Sequence, residues 1–149
     1  EIGVRLVGSE MCIRDRCGRY TQDDRVLQNK WYRIALGRYG NVPHAVLLMV
    51  GNYYNNEAPN SQLLFIHADG YSDRQSIVQL ANSGRVISKA RILYKATTTD
   101  GPIVDIFIRT EKTNQLMLSY SCNINFTFQS PIEVSETPES GYTVKEFIF

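Results

Sequence analysis

Between Leu116 and Phe128 every second residue is apolar or aromatic: Leu116, Leu118, Tyr120, Cys122, Ile124, Phe126 and Phe128. The residues between them, Met117, Ser119, Ser121, Asn123, Asn125 and Thr127, are nearly all polar. A period of 3.6 scatters such a set around a helix, whereas a period of 2 places it on one face of a strand. The pattern predicts antiparallel β structure with one buried face and one face in water. Fully extended, the run spans roughly 43 Å at about 3.3 Å per residue, longer than most strands. A bend or turn is therefore expected near residues 123–125.

The same reading extends over most of the chain. Residues 30–38 alternate, with Tyr32, Ile34 and Leu36 on one side and Trp31 and Arg33 on the other. Further strands are predicted over 44–50, 63–68, 76–80, 86–95, 103–109, 131–134 and 142–149. In 86–95, Ala90, Ile92 and Tyr94 stand opposite Lys89, Arg91 and Lys95, and in 103–109 Val104, Ile106 and Ile108 stand opposite Asp105 and Arg109. Asp69-Gly70, Asn82-Ser83-Gly84 and Asp100-Gly101 punctuate these runs as turns, the last a hairpin signal. Residues 51–62 and 136–141 read as loops. Eight or nine short strands without a helical pattern predict an all-β fold, an antiparallel β-sandwich of jelly-roll-like type.

The first nineteen residues stand outside this pattern, with no alternation and no helical face. Val7 to Arg16 resembles a translated sequencing-adapter read-through, which implies a non-native segment. The expected organisation is a non-native or unstructured segment over 1–19, a linker over 20–29 and a sandwich head domain over 30–149. Setting 1–19 aside removes four Arg and three acids and leaves twelve basic and twelve acidic residues, so the body is neutral. It has no basic stripe of the kind that binds nucleic acid. The longest apolar run, from Ala45 to Val50, is far shorter than a membrane span, so no membrane insertion is expected. No stretch reads as a signal peptide.

Candidate chemistry is sparse. Cys12 and Cys17 have a zinc-like spacing without a second ligand pair, so no metal and no cofactor are expected. Cys122 falls in the apolar register of its strand and reads as a small buried hydrophobe. His44 and His67 adjoin apolar runs, where a lone His is more often a hydrogen-bonded core or edge residue than a base. Asp69 and Asp73 have a spacing open to a pair of glycosidase carboxylates, although two acids in a turn are usually solvated. No nucleophile, zincin or phosphate-loop motif is present. Asn125-Phe126-Thr127 matches a glycosylation sequon centred on an apolar position. Tyr53, Tyr54, Asn55 and Asn56 are the stronger binding candidates, because sugars need aromatic faces together with amide donors and acceptors. Tyr71, Asp73 and Arg74 form a second polar-aromatic loop. Trp31 and Arg33 are assigned to a subunit or sheet interface.

Five short blocks carry a resemblance: Lys30-Trp31-Tyr32-Arg33-Ile34-Ala35, Ala90-Arg91-Ile92-Leu93-Tyr94, Val104-Asp105-Ile106-Phe107-Ile108, Ser135-Glu136-Thr137-Pro138 and Gly141-Tyr142-Thr143-Val144. Their order over residues 30–149 resembles the head domains of bacteriophage tail-fibre and receptor-binding structural proteins. The resemblance implies a non-enzymatic virion component of the phage tail, made in the bacterial host cytoplasm. It also implies a homotrimer on an upstream tail-fibre shaft that attaches to a bacterial cell-surface glycan or protein receptor. Two other readings stand beside it: a purely structural trimerisation or capping module, and a tail-associated enzyme that degrades polysaccharide. The outward sets containing Trp31, Met117 and Phe107 are expected to need cover from other subunits.

Overall fold

The computed structural model describes residues 16–22, 29–52, 60–108 and 116–149. It is an all-β sandwich of ten strands: β1 Gly18–Gln22, β2 Trp31–Gly37, β3 His44–Asn52, β4 Ser61–Ala68, β5 Ser76–Ser83, β6 Ile87–Tyr94, β7 Ile103–Ile108, β8 Leu116–Ile124, β9 Phe126–Val134 and β10 Thr143–Ile148. The first sheet has the order β1-β8-β3-β4-β5 and the second β10-β6-β7-β2-β9, with every pairing antiparallel. In the first sheet β8 returns beside β3, the first of three hairpin-connected strands, which is a Greek-key arrangement. This order does not by itself make the fold a jelly roll.

The long alternating run divides where the bend was expected. β8 ends at Ile124 and β9 begins at Phe126, and the two strands belong to different sheets. Asn125 between them has a φ of 66° and Cys122 a φ of 55°, left-handed values that tighten the crossing. The distortion also resets the alternation. Asn123 is buried and Cys122 exposed, so the expectation of a buried thiol fails. The inward set resumes with Phe126 and Phe128. The Tyr120 ring of the first sheet stacks on the Phe128 ring of the second with centroids 4.1 Å apart, closing the core across the crossover.

The core is built from the alternating inward residues, among them Ile34, Leu48, Leu64, Ile66, Ile92, Ile106 and Leu118, all almost completely buried. One polar side chain joins the sheets from inside. The Gln62 amide oxygen accepts from Val86 N (2.6 Å) and Ile87 N (2.8 Å), while its amide nitrogen donates to the Ile87 carbonyl and to Gln79 Oε1. Val86 and Ile87 lie buried at the start of β6, so Gln62 supplies an acceptor to two backbone donors that water does not reach.

At the N-terminal side the structure differs from the expected boundaries. β1 begins at Gly18, inside the segment set aside, and ends at Gln22, in the first residues of the expected linker. Its residues pair with β8 from Gly18↔Tyr120 to Gln22↔Leu116. The Tyr20 hydroxyl donates to the Phe128 carbonyl at 3.0 Å. Five residues are too few for alternation to stand out, and a tertiary partner decides their conformation.

The centre of the outer face of the second sheet is not wet. Asp105, expected to face water, is fully buried, and Arg91 is only 3% exposed. Asp105 Oδ1 accepts from Arg33 Nε and Oδ2 from Arg91 Nε, both at 2.9 Å. The 135–141 segment folds back over this cluster. Arg91 donates to the Ser135 and Glu136 carbonyls at 2.9 and 2.8 Å, and Arg33 pairs with Glu139 at 2.9 Å. The Arg91 guanidinium lies 4.2 Å from the centre of the Trp31 ring, which meets Phe107 edge-on at 5.2 Å. Trp31 is thereby only 3% exposed. Its own chain covers it, and Arg33 is held by two carboxylates. The subunit cover expected for Trp31 is supplied from within, and neither residue needs a subunit interface.

Candidate functional site

Three connections meet at one end of the sandwich: 38–43 between β2 and β3, 69–75 between β4 and β5, and 95–102 between β6 and β7. Gly40 and Gly70 make this meeting possible. A Cβ on Gly40 would overlap the Thr97 carbonyl oxygen, and one on Gly70 would overlap the Asp100 carbonyl oxygen. Side-chain bonds fix each loop internally. Asp69 Oδ1 accepts from the Tyr71 and Ser72 backbone N–H groups at 2.7 Å, and Oδ2 from the Ser72 hydroxyl at 2.7 Å. The buried Gln75 amide closes the base of the same loop through Asp69 N (2.9 Å), the Asp69 carbonyl and the Ser72 carbonyl. Thr97 and Asp100 bind each other reciprocally at 2.8 and 3.0 Å.

This rigid base presents aromatic and cationic side chains to solvent. Tyr39 is 49% and Tyr71 58% exposed, and Arg74 is exposed beside them on the 69–75 loop. Arg38 lies 5.5 Å from the Tyr39 ring centre. Sequence reasoning found Tyr71 and Arg74 but missed Arg38 and Tyr39, because Arg38 to Pro43 reads only as a strand terminator. The Asp69 carboxylate is engaged by its own loop. Burial pushes Asp69 upward, but the Ser72 and Tyr71 bonds outweigh it and hold its carboxyl below the usual value. An acid held ionised by its own loop is a poor proton donor. Asp73 is exposed, and its carbonyl accepts from Lys145 Nζ at 3.4 Å.

Tyr53, Tyr54, Asn55 and Asn56 lie outside the described residues. The base of their loop is described. Asn60 N donates to Asn52 Oδ1 at 2.8 Å, and Asn52 N to the Asn60 carbonyl at 3.2 Å. Because β3 ends and β4 begins there, this loop starts at the opposite end of the sandwich from Tyr71 and Arg74. Among the described residues, no group of three or more His, Cys, Asp or Glu is placed to hold a metal ion. No helix among them is long and apolar enough to cross a membrane.

His44 sits beneath the loop end, fully buried, against the Phe126 ring at 5.1 Å. Its Nε2 accepts from Arg38 N at 2.9 Å, so the 38–43 turn depends on an unprotonated Nε2. Burial holds its pKa below the ordinary 6.5. The Arg33 bond likewise holds Glu139 below 4.5. In each case the folded state binds protons more weakly than the unfolded chain, so stability is full above the unfolded value and falls as pH drops. Thermal melts should show the melting temperature declining from about pH 6.5 as the unfolded His44 protonates, and more steeply below about 4.5 as Glu139 and Asp69 follow. His44→Gln should remove the upper part of this decline, and an unchanged profile in that variant would exclude His44 as its source.

No protein-family model, curated protein or solved structure matches the chain.

Proposed function

We propose that the chain is a non-enzymatic attachment domain of the bacteriophage tail-fibre type, which binds a carbohydrate on the bacterial surface through the loop end bearing Tyr39, Tyr71 and Arg74. The observation that carries this reading is the pairing of exposed aromatic and cationic side chains with loops locked by backbone contact and internal hydrogen bonds. Such loops are ordered before a ligand arrives, so binding loses little conformational entropy. Tyr rings suit the apolar face of a sugar, and an Arg fork suits its hydroxyl and carboxyl oxygens. The order of the five blocks supports the tail-fibre assignment. Four of them bring Trp31, Arg33, Arg91, Asp105, Ser135 and Glu136 into the one ionic cluster, so their order reflects a shared three-dimensional contact.

The domain acts as a homotrimer in this reading. The face available to copies of the chain is the outer face of the first sheet. Adjacent strands place Leu47, Phe65 and Val78 in one row and Met49 and Leu63 in the next. Met49, Phe65, Val78 and Leu80 are 46%, 40%, 47% and 54% exposed. The outward residues of β3 and β4 include no Asp, Glu, Lys or Arg, and interface cores are depleted in those types. That face also favours the second reading, a structural trimerisation module, over a cleft enzyme.

The test is a pull-down of the fluorescent protein on host cells, with light scattering to give its mass. The Tyr39→Ala/Tyr71→Ala variant should melt within about 0.5 kcal/mol of the parent, because both side chains are largely exposed. It should lose cell binding by at least about 30-fold, on the order of 2 kcal/mol for two aromatic anchors. Full binding by the folded variant would exclude this loop end as the site, and Tyr53 and Tyr54 are then the next residues to change. A stable monomer at micromolar concentration would remove the trimer.

A further inference from the structure

A second surface at the same end carries a more specific ligand. Where β8 crosses into β9, a cleft of about 630 Å³ opens between the two sheets. Its apolar wall is made by Tyr20, Phe126 and Phe128, and its polar rim by Arg38 and Asn125. We propose that this cleft binds an acidic sugar, a pyranose bearing a carboxylate, with Arg38 on the carboxylate, Asn125 on a ring hydroxyl and the aromatic wall against the ring. The inference rests on the attachment reading above and names the substrate class of that loop end.

The chemistry follows from what each group still has to give. Arg38 is exposed and forms no ion pair among the described residues, while Arg33 and Arg91 are both consumed by Asp105. Its backbone is fixed through the bond of its N–H to His44, and its guanidinium lies over the Tyr39 ring. The fork is thus positioned without being neutralised, which is what bidentate recognition of a carboxylate requires. Asn125 donates its amide nitrogen to the Pro43 carbonyl at 2.8 Å, which ties the crossover to the 38–43 turn. The same bond orients the amide, leaving its oxygen to accept from a sugar hydroxyl. Asn125, which lines the cleft, and Cys122 three residues before it hold left-handed backbone values at non-glycine positions. Such conformations persist where the surrounding structure over-determines them, and they cluster at ligand clamps. Asn123, between them, donates to the Phe126 carbonyl at 2.7 Å and holds the cleft floor closed. Arg16 also borders the cleft. It belongs to the segment resembling adapter sequence, so nothing in the proposal depends on it.

A neutral sugar fits the aromatic wall equally well but leaves Arg38 without a partner. The carboxylated sugar is the class that uses both the cation and the apolar wall.

The experiment compares lactose with sialyllactose, which differ by one acidic sugar, and adds a glucuronate oligosaccharide. Binding to the full chain is read by NMR shift perturbation and calorimetry. The expected result is binding of the two acidic probes, at least about tenfold weaker for lactose, with weakening as salt rises. Arg38→Gln and Asn125→Ala should each reduce acidic-sugar binding by about tenfold or more, while Arg85→Gln, which removes an equal charge from the opposite end of the sandwich, leaves it unchanged. Circular dichroism and melting of each variant separate a lost contact from a lost fold. Binding of acidic sugars that ignores both Arg38→Gln and Asn125→Ala would overturn the placement. Binding of neutral glycans alone would overturn the acidic class and leave the attachment reading standing. Binding of no glycan, together with no attachment to host cells, would overturn both.

Discussion

Asp105→Asn is expected to lower stability by about 3–5 kcal/mol, the largest effect of any single conservative change in this chain. Asp105 is fully buried, and each of its oxygens receives one arginine. The amide removes the negative charge while keeping the volume, so Arg91, 3% exposed, is left without its counter-ion. Glu139 cannot replace Asp105, because it lies over the solvent side of Arg33 with 56% of its side chain exposed. Urea denaturation should show a lower midpoint with an unchanged slope, and the melting temperature should drop by about 10 °C for a domain of this size. The triple variant Arg33→Met/Arg91→Leu/Asp105→Leu should recover most of the loss. Removing one member strands a buried charge, whereas replacing all three with apolar groups removes the desolvation cost as well. A loss under about 1 kcal/mol in Asp105→Asn would show that water reaches the cluster and that the 135–141 segment does not seal it.

Gly40→Ala should have the next largest consequence and the greater functional one. The new Cβ would overlap the Thr97 carbonyl oxygen and lie 2.7 and 2.9 Å from the Thr97 carbonyl carbon and the Asp100 oxygen. All three obstacles are backbone atoms, so no rotamer change relieves the clash. The 38–43 and 95–102 loops must separate. Overpacking of this kind costs about 1–3 kcal/mol or more. Separation also moves Arg38 and Tyr39 relative to Tyr71, so glycan and cell binding should fall beyond the stability loss. Gly141→Ala is the comparison. Its φ of +92° strains any side chain, yet nothing lies within 4 Å of the added carbon, so the change forces no two loops apart. It should cost about 1–2 kcal/mol and leave binding intact. Hydrogen exchange over both loops measures the difference. Parent-like protection in Gly40→Ala would show that the loops are not in contact in solution.

Much of the scaffold follows from local pattern. Alternation, apolar runs and turn signals together located seven strands within a few residues of their ends, and the bend expected over 123–125 contains the break at Asn125. Where a strand buries one face, as β3 and β4 do, its register is repeated in every second side chain. β1 escaped notice because Gly18 to Gln22 is too short to show a period and lies beside atypical sequence. Cys122 escaped because the left-handed residues of the crossover shift the alternation by one, which no count of apolar positions reveals. Of the candidate site, Tyr71 and Arg74 were legible as exposed loop residues. Arg38 and Asn125 were not, since they are separated by more than eighty positions and meet only through the Pro43 carbonyl.

Composition and periodicity by themselves determined that this is an all-β sandwich with a neutral body, because burying one face of each strand is a short-range demand written into consecutive residues. Which face is wet was left to the tertiary structure. Arg91 and Asp105 read as a solvated face when each strand is taken alone, and Arg33 as an interface residue. They become a sealed ionic layer only when β6, β7 and β2 lie side by side and the 135–141 segment folds over them. The cost of burying a charge depends on the partners that reach it, and these partners come from segments up to 106 residues apart. The same reason governs the loop end. Gly40 and Gly70 are ordinary turn residues in sequence, and only the contact between three distant connections makes them irreplaceable.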